Sequence, residues 1–382
     1  MNSIGIIAEY NPFTNGHLYH LNKIKEKYKD YTIILVMNSH FTQRGIPTII
    51  DKWKRTEIAL KLGIDLVIEL PFPFATQSAD FFAYGATTIL EKLKVEKIVF
   101  GSESDNIEDL EIIAKTQIEN DEFDKLVKVY SKLGKNYPTA VSLSIYDLTN
   151  KKIDTPNDLL GISYIKSILK NNYKLKYETI KRKNNYHSNN LEIDGSASSI
   201  RKAIKEKKDI NKYIPEVEKD YFDNLHFIDN YFNILKYKII TEDNLSIYQT
   251  VDEGIDKLLK KHIEKANNID ELIKLVKSKR YTYNKISRML IHILCNFTKE
   301  KANNFKTIKY IRVLGLNKRG SNYLNKIKKE IDIPIISKIK RDKDEMLEFE
   351  IKTTEIYDIT SNNNLIKKEF EKILYIGDIN ND

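Results

Sequence analysis

The sequence predicts an α/β fold: an N-terminal parallel sheet covered by helices, followed by a mainly α-helical C-terminal region. Two patterns predict it. Short apolar runs alternate with helical patterns through the first half, as expected of strands joined by crossover helices. From about residue 206, apolar residues recur at helical spacing instead. With 41% hydrophobic residues, the 382-residue chain can bury real cores, and its length suits two or three domains.

Ile4-Gly5-Ile6-Ile7-Ala8 is the first predicted strand. Leu18 to Tyr28 follows as a helix, with Leu18, Leu21 and Ile24 on one side. Strands are expected at Thr32 to Met37, Asp65 to Leu70, Lys97 to Phe100 and Leu175 to Lys181. Helices are expected at Trp53 to Leu62, Ala79 to Leu93 and Asn157 to Leu169. The α/β part is placed at 1–205. In 206–382, helical patterns span Phe232 to Ile240, Ile255 to Ala266 and Ile286 to Phe297. From about Lys306, short β-like runs (Ile308 to Val313, Ile333 to Ile336) mix with helix.

The net charge is +9. It points either to a polyanionic partner, RNA first, or to compositional drift. The single cysteine, Cys295, permits no intrachain disulfide and no Cys-based zinc site. A secretory leader is not expected at Met1-Asn2-Ser3, and no uncharged apolar run approaches the roughly 18 residues of a membrane span. A soluble, cytoplasmic protein is therefore expected.

The most informative stretch is Ile4 to Leu21. A buried strand runs into Glu9-Tyr10-Asn11-Pro12-Phe13, then Thr14-Asn15-Gly16-His17 opens a helix. A helix start presents unpaired N–H groups and the positive end of its dipole, a ready phosphate site. Gly16 allows close approach. His17 and Thr14 can donate to phosphoryl oxygens and stabilise charge shifting onto a leaving pyrophosphate, which makes them the catalytic candidates. His20 lies three residues on, near the same face. The bland alternative is a strand-to-helix turn with an incidental histidine.

The segment from Asn11 to His17 resembles the signature of HxGH-type nucleotidyltransferases such as pantetheine-phosphate adenylyltransferase. Further segments resemble the bacterial tRNA(Met) cytidine acetate ligase family over nearly the whole chain. They are Ala8 to Phe13, His40-Phe41-Thr42-Gln43-Arg44-Gly45, Asp65 to Pro71, Phe100-Gly101-Ser102-Glu103, Pro156 to Gly161, Ser196 to Arg201, Lys279 to Thr282 and Arg312 to Gly315. The resemblance implies a Rossmann-like nucleotidyltransferase domain at the N-terminus. It also implies the activity: acetate is adenylated by ATP with release of pyrophosphate, then transferred to N4 of the wobble cytidine in elongator tRNA(Met). The implied partners are thus acetate and that tRNA, and ATP would arrive with Mg2+. No resident metal site is expected. The family usually has His at the first tetrad position; here it is Thr14.

By the same resemblance, ATP is contacted by Ile7, Ala8, Glu9, Tyr10, Asn11, Pro12, Phe13, Thr14, Asn15, Gly16, His17, Leu18, Tyr19 and His20, and by Gly101, Asn157 and Arg182. Plain alternatives are a turn at Gly101, an N-cap at Asn157 and an edge-strand charge at Arg182. Ser198, Ser199 and Arg201 either cap a helix or hold phosphates. His40, Gln43 and Arg44, with Lys52 and Arg55, form either a basic lip or a solvated loop. Arg44, Lys279, Arg280, Lys285, Arg288, Lys318 and Arg319 are the candidate RNA contacts, near aromatics in the second half. The competing functions are a small-molecule nucleotidyltransferase and a non-catalytic RNA-binding protein; the oligomeric state is not readable.

Overall fold

The computed structural model describes residues 2–152, 154–182, 196–278, 281–340, 344–361, 363–371 and 373–376. In the first half, β1 (Ser3–Ala8), α1 (Asn15–Lys27), β2 (Thr32–Asn38), α2 (Lys52–Lys61), β3 (Leu66–Leu70), α3 (Phe72–Ala75), α4 (Ala79–Lys92) and β4 (Lys97–Ser102) alternate. Then come α5 (Ile107–Glu119), α6 (Asp121–Lys132), α7 (Tyr137–Thr149), α8 (Pro156–Lys170), β5 (Lys176–Lys181) and α9 (Ala197–Lys205). The second half holds α10 (Phe232–Thr241), α11 (Ile255–Ile263), α12 (Ile269–Val276), α13 (Tyr283–Leu294) and α14 (Lys299–Asn304). It ends with β6 (Ile311–Leu316), α15 (Lys318–Ile327), β7 (Ile335–Ile336), α16 (Glu345–Asp358), α17 (Leu365–Phe370) and β8 (Leu374–Tyr375).

The strand order is β5-β4-β1-β2-β3-β6-β7, with β8 also on β6. The first five strands are parallel. The order reverses between β1 and β4, so a crevice opens beyond their carboxyl ends. Successive residues feed opposite cores: Ile34 and Val36 pack on one face of β2, Ile33, Leu35 and Met37 on the other. Both faces of the sheet are covered, hence the near-continuous apolar runs.

Helices α5–α7 were not assigned from the sequence. Each is announced by an asparagine cap: Asn106, Asn120 and Asn136 accept from the amides of Asp109, Glu122 and Thr139. The β-like run expected at Ile308 to Val313 is displaced, since β6 spans Ile311–Leu316. It pairs antiparallel with β3, so the C-terminal residues extend the N-terminal sheet. No helix among the described residues is long and apolar enough to cross a membrane.

Buried ions bind these parts together. The Lys52 ammonium lies 2.6 Å from Glu69 and 2.7 Å from Glu369, all three side chains fully buried. Arg312 reaches the same two carboxylates. Against the cost of burial, Lys52 and Arg312 hold Glu369 below the usual carboxylate range. Burial, with Glu69 beside it, raises the nearby Glu350, whose Oε2 accepts from the Phe72 amide at 2.6 Å. The sequence left Lys52 and Arg55 as part of either a basic lip or a solvated loop. Instead they are interior groups, and His40 is likewise fully buried. Removing one partner of such a cluster leaves uncompensated buried charge. Lys52→Met should therefore cost about 3–5 kcal/mol of stability, read as a lower urea midpoint at unchanged slope; a loss below about 1 kcal/mol would contradict this pairing.

Candidate active site

A cleft of about 600 Å³ opens at the carboxyl edge of the sheet. Its floor is β1 and the β1–α1 loop. There Tyr10 takes a left-handed φ of 45°, and the Asn11–Pro12 bond is cis. The loop is braced from several sides. Asn11 Oδ1 accepts from the Ile49 amide at 2.8 Å, and Arg201 Nη1 donates to the Asn11 carbonyl at 2.6 Å. The Phe13 amide donates to the buried Glu218 carboxylate at 3.0 Å, and the Asn15 amide to Tyr213 O at 3.0 Å. Arg55 Nη1 donates to the Glu9 carbonyl at 2.7 Å and to Asn38 Oδ1 at 3.1 Å, tying the ends of β1 and β2.

Thr14 and His17 pair reciprocally. The Thr14 hydroxyl accepts from the His17 amide at 3.3 Å, and the Thr14 amide donates to His17 Nδ1 at 3.0 Å. An amide can only donate, so Nδ1 is the acceptor and the neutral ring carries its proton on Nε2. Burial, with Arg182 and His20 adding to it, pushes the His17 pKa down to about 3. Burial and Arg182 hold His20 at about 4. Both rings are thus neutral near pH 7. His20 Nε2 is shielded, with no hydrogen-bond partner among the described residues.

One flank of the cleft comes from β4, α8 and β5. Gly101 and Arg182 meet there: a Cβ on Gly101 would stand 3.2 Å from Arg182 Cγ. Glu103 accepts from the Asn157 side-chain amide, and its other oxygen accepts from the Asp158 amide at 3.2 Å. Asp158, almost fully buried, gathers the amides of Glu103 and Ser104 at 3.1 and 3.0 Å and the Thr155 hydroxyl at 2.8 Å. Asn157 is not the N-cap, a position taken by Thr155. Phe100, Leu160 and Tyr164 give this flank an apolar wall. At α9, Ser196 caps the helix through the Ser199 amide at 3.2 Å. Ser198 and Arg201 line the cleft; the Ser199 hydroxyl turns back to Ser196 O at 2.8 Å.

The opposite flank is the turn Thr42 to Ile46. Glu9 Oε1 accepts from the Gln43 amide at 2.7 Å. Gly45, at φ 75°, lies so close to α13 that a Cβ would fall 2.2 Å from the Arg288 amide nitrogen. Ser287 donates to Gly45 O at 2.7 Å and Arg288 to Gln43 O at 3.3 Å.

The cleft lining therefore brings together Ile7, Ala8, Glu9, Tyr10, Asn11, Thr14, Gly16, His17, Tyr19 and His20 with Gly101, Asn157, Arg182, Ser198, Arg201 and Arg44. Pro12, Phe13, Asn15, Leu18 and Ser199 sit behind it as support. Lys285, with its ammonium 4.2 Å from the Tyr281 ring centre, and Arg288 lie on the adjoining helix α13. Lys318 and Arg319 are not brought to the cleft. They start α15 at the opposite edge of the sheet, where Arg319 donates to Tyr31 O at 3.4 Å. Lys279 and Arg280, like His187, lie outside the described residues. Glu103, Asp158 and Glu218 were missed, for nothing local in the sequence announces their long-range partners. Among the described residues no group of three His, Cys, Asp or Glu side chains could hold a metal ion.

The sequence profile of the HIGH Nucleotidyl Transferase family matches residues 1–372. A tRNA(Met) cytidine acetate ligase of Thermoanaerobacter sp. (strain X514) is 42% identical, over 96% of this chain and 97% of its own. That of Clostridium acetobutylicum is 38% identical, over 98% and 100%. A crystal structure of Thermotoga maritima TmcAL bound with alpha-thio ATP superposes with a TM-score of 0.87 at 28% identity, covering 99% of this chain and 100% of that one. The apo form gives 0.88 at 29%.

The hydrogen bonding of Thr14 and His17 fixes a measurable protonation state. Side-chain nitrogen NMR should show His17 as the Nε2–H tautomer, neutral from pH 8 down to about pH 4. An imidazolium signal for His17 at pH 6 would contradict the geometry.

Proposed function

The chain belongs to the HIGH Nucleotidyl Transferase family, and within it to the tRNA(Met) cytidine acetate ligases; from that premise we propose that it adenylates acetate with ATP and transfers the acetyl group to N4 of the wobble cytidine of elongator tRNA(Met). The observation that carries this is the meeting of His17, Arg182, Arg201 and the starts of α1 and α9 on one cleft. Helix starts and planar guanidinium forks suit a triphosphate, and the relative bound to alpha-thio ATP shares the fold across its whole length.

The two chemical steps follow from leaving-group strength. A carboxylate oxygen leaves badly, so acetate first attacks the α-phosphorus of ATP and pyrophosphate departs. His17, donating from Nε2, and Arg201 stabilise the charge that moves onto the pyrophosphate. The amine of the cytidine then attacks the acetyl carbon and AMP leaves. Holding acetyl-adenylate against a positioned base makes this step effectively unimolecular.

The lining does not suit a resident divalent cation. Among the described residues Glu9 is its one carboxylate, and that group already accepts from the Gln43 amide. A magnesium ion accompanying ATP would be carried by phosphate oxygens, and no step here is routed through it.

The nucleotide lies on the Gly101, Asn157 and Arg182 flank, and the RNA approaches over the 206–382 region beside α13. Arg44, Lys285 and Arg288 meet its phosphates. Incubating the protein with ATP, labelled acetate and methionine tRNA should label the RNA. His17→Ala should lower that rate by about 10²–10³, and tRNA binding should weaken steeply with salt. Unlabelled RNA with ATP left intact would sink the proposal. Adenylation of some other small acceptor, with no tRNA shift on a gel, would favour a small-molecule nucleotidyltransferase instead.

A further inference from the structure

An exocyclic amine of cytosine is a poor nucleophile, because its lone pair is delocalised into the ring. Acyl transfer to it needs a proton acceptor poised as the N–C bond forms. Resting on the acetate-ligase function proposed above, we infer that Glu9 is that acceptor: its Oε2 takes the N4 proton while the acetyl carbon moves from AMP to the amine.

Elimination within the cleft supports the assignment. The lining groups able to accept a proton are Glu9, His17 and His20. His17 Nδ1 already accepts from the Thr14 amide, so its remaining nitrogen is a donor. His20 feels the Arg182 charge and belongs to the nucleotide flank, with Nε2 shielded. Glu9 alone combines an anchored oxygen with an uncommitted one. Oε1 accepts from the Gln43 amide at 2.7 Å, whereas no donor among the described residues bonds Oε2.

Position supports it as well. Glu9 directly follows β1 beside the Thr42 to Ile46 turn and lines the same cleft as Gly101, Asn157 and Arg182. That turn is packed directly on α13, so it links Glu9 to the C-terminal helices. The charged and titratable groups facing Glu9 are Arg44 from the turn, Arg55 from α2, Arg201 from α9 and Tyr164 from α8. Burial raises the Glu9 pKa above the usual carboxylate range, while the Gln43 amide and the three arginines pull it back down. The net effect is a base stronger than an ordinary carboxylate.

The step balances. The N4–C bond forms, the C–O bond between acetyl and AMP breaks, AMP leaves with that oxygen, and the N4 proton passes to Oε2 and then to solvent.

Glu9→Gln tests the assignment, since its carbonyl oxygen can still accept from the Gln43 amide. Acetate-dependent exchange of labelled pyrophosphate into ATP reads the first step, and single-turnover acetylation of tRNA reads the second. Glu9→Gln should slow transfer by about 10²-fold or more and slow exchange far less. In the wild type, transfer should fall as pH drops through the Glu9 pKa; Glu9→Gln should lose that limb. Glu9→Asp, which keeps a retracted carboxylate, should retain the limb at an intermediate rate. Wild-type exchange together with Glu9→Gln transferring within about threefold of wild type would overturn the base assignment alone. So would equal losses in both steps. No exchange in the wild type would overturn the acetate-ligase function and this assignment with it.

Discussion

The amide of Thr14 donates into Nδ1 of His17, and the Thr14 hydroxyl accepts from the amide of His17. Much of the cleft depends on this exchange. It starts α1 at Asn15 and sets Gly16, in the first turn, on the cleft. It also fixes the imidazole proton on Nε2, the nitrogen left to meet a ligand. A histidine with a free Nδ1 could serve as acid or base; one tied in this way is a neutral donor. The division of labour in the proposed mechanism follows from that constraint.

The corner holds its shape because residues far along the chain press on it. Glu218 and Tyr213 take the amides of Phe13 and Asn15, and Arg201 takes the Asn11 carbonyl. Beneath it, Arg55 joins β1 to β2, and the Lys52, Glu69, Arg312 and Glu369 cluster joins the sheet to β6 and the last helices. A buried ionic cluster adds little net stability over apolar packing, but breaking it is costly. Its geometry ties the C-terminal residues to the sheet that carries the nucleotide cleft.

The sequence disclosed what is local. β1, the loop and the start of α1 are contiguous, and the Thr-x-x-His spacing specifies a helix start by itself. The alternating apolar runs of β2 to β4 were equally legible, because both faces of the sheet are buried. Charged residues misled where their partners are distant: Lys52 and Arg55 read as a basic lip or a solvated loop, yet the Lys52 partner Glu369 lies more than 300 residues away. Asp158 is the converse case. Nothing near it suggests that one carboxylate gathers the loop after β4 and the start of α8. Helices α5–α7 were missed although each bears an asparagine cap, and α6 shows a clear apolar period at Phe123 and Val127 besides.

Thr14 bears on how the cleft carries charge. A histidine at this position, which the resemblance led one to expect, would add a group that titrates near neutrality. Threonine adds none, and as a hydroxyl residue it caps the helix directly. With His17 and His20 held neutral by burial, the positive charge lining the cleft comes from Arg44, Lys181, Arg182 and Arg201. Guanidinium groups stay protonated across the physiological range. In the proposed mechanism, attraction for the nucleotide is thereby separated from proton transfer: guanidinium groups would hold the phosphates, while His17 stays a neutral donor.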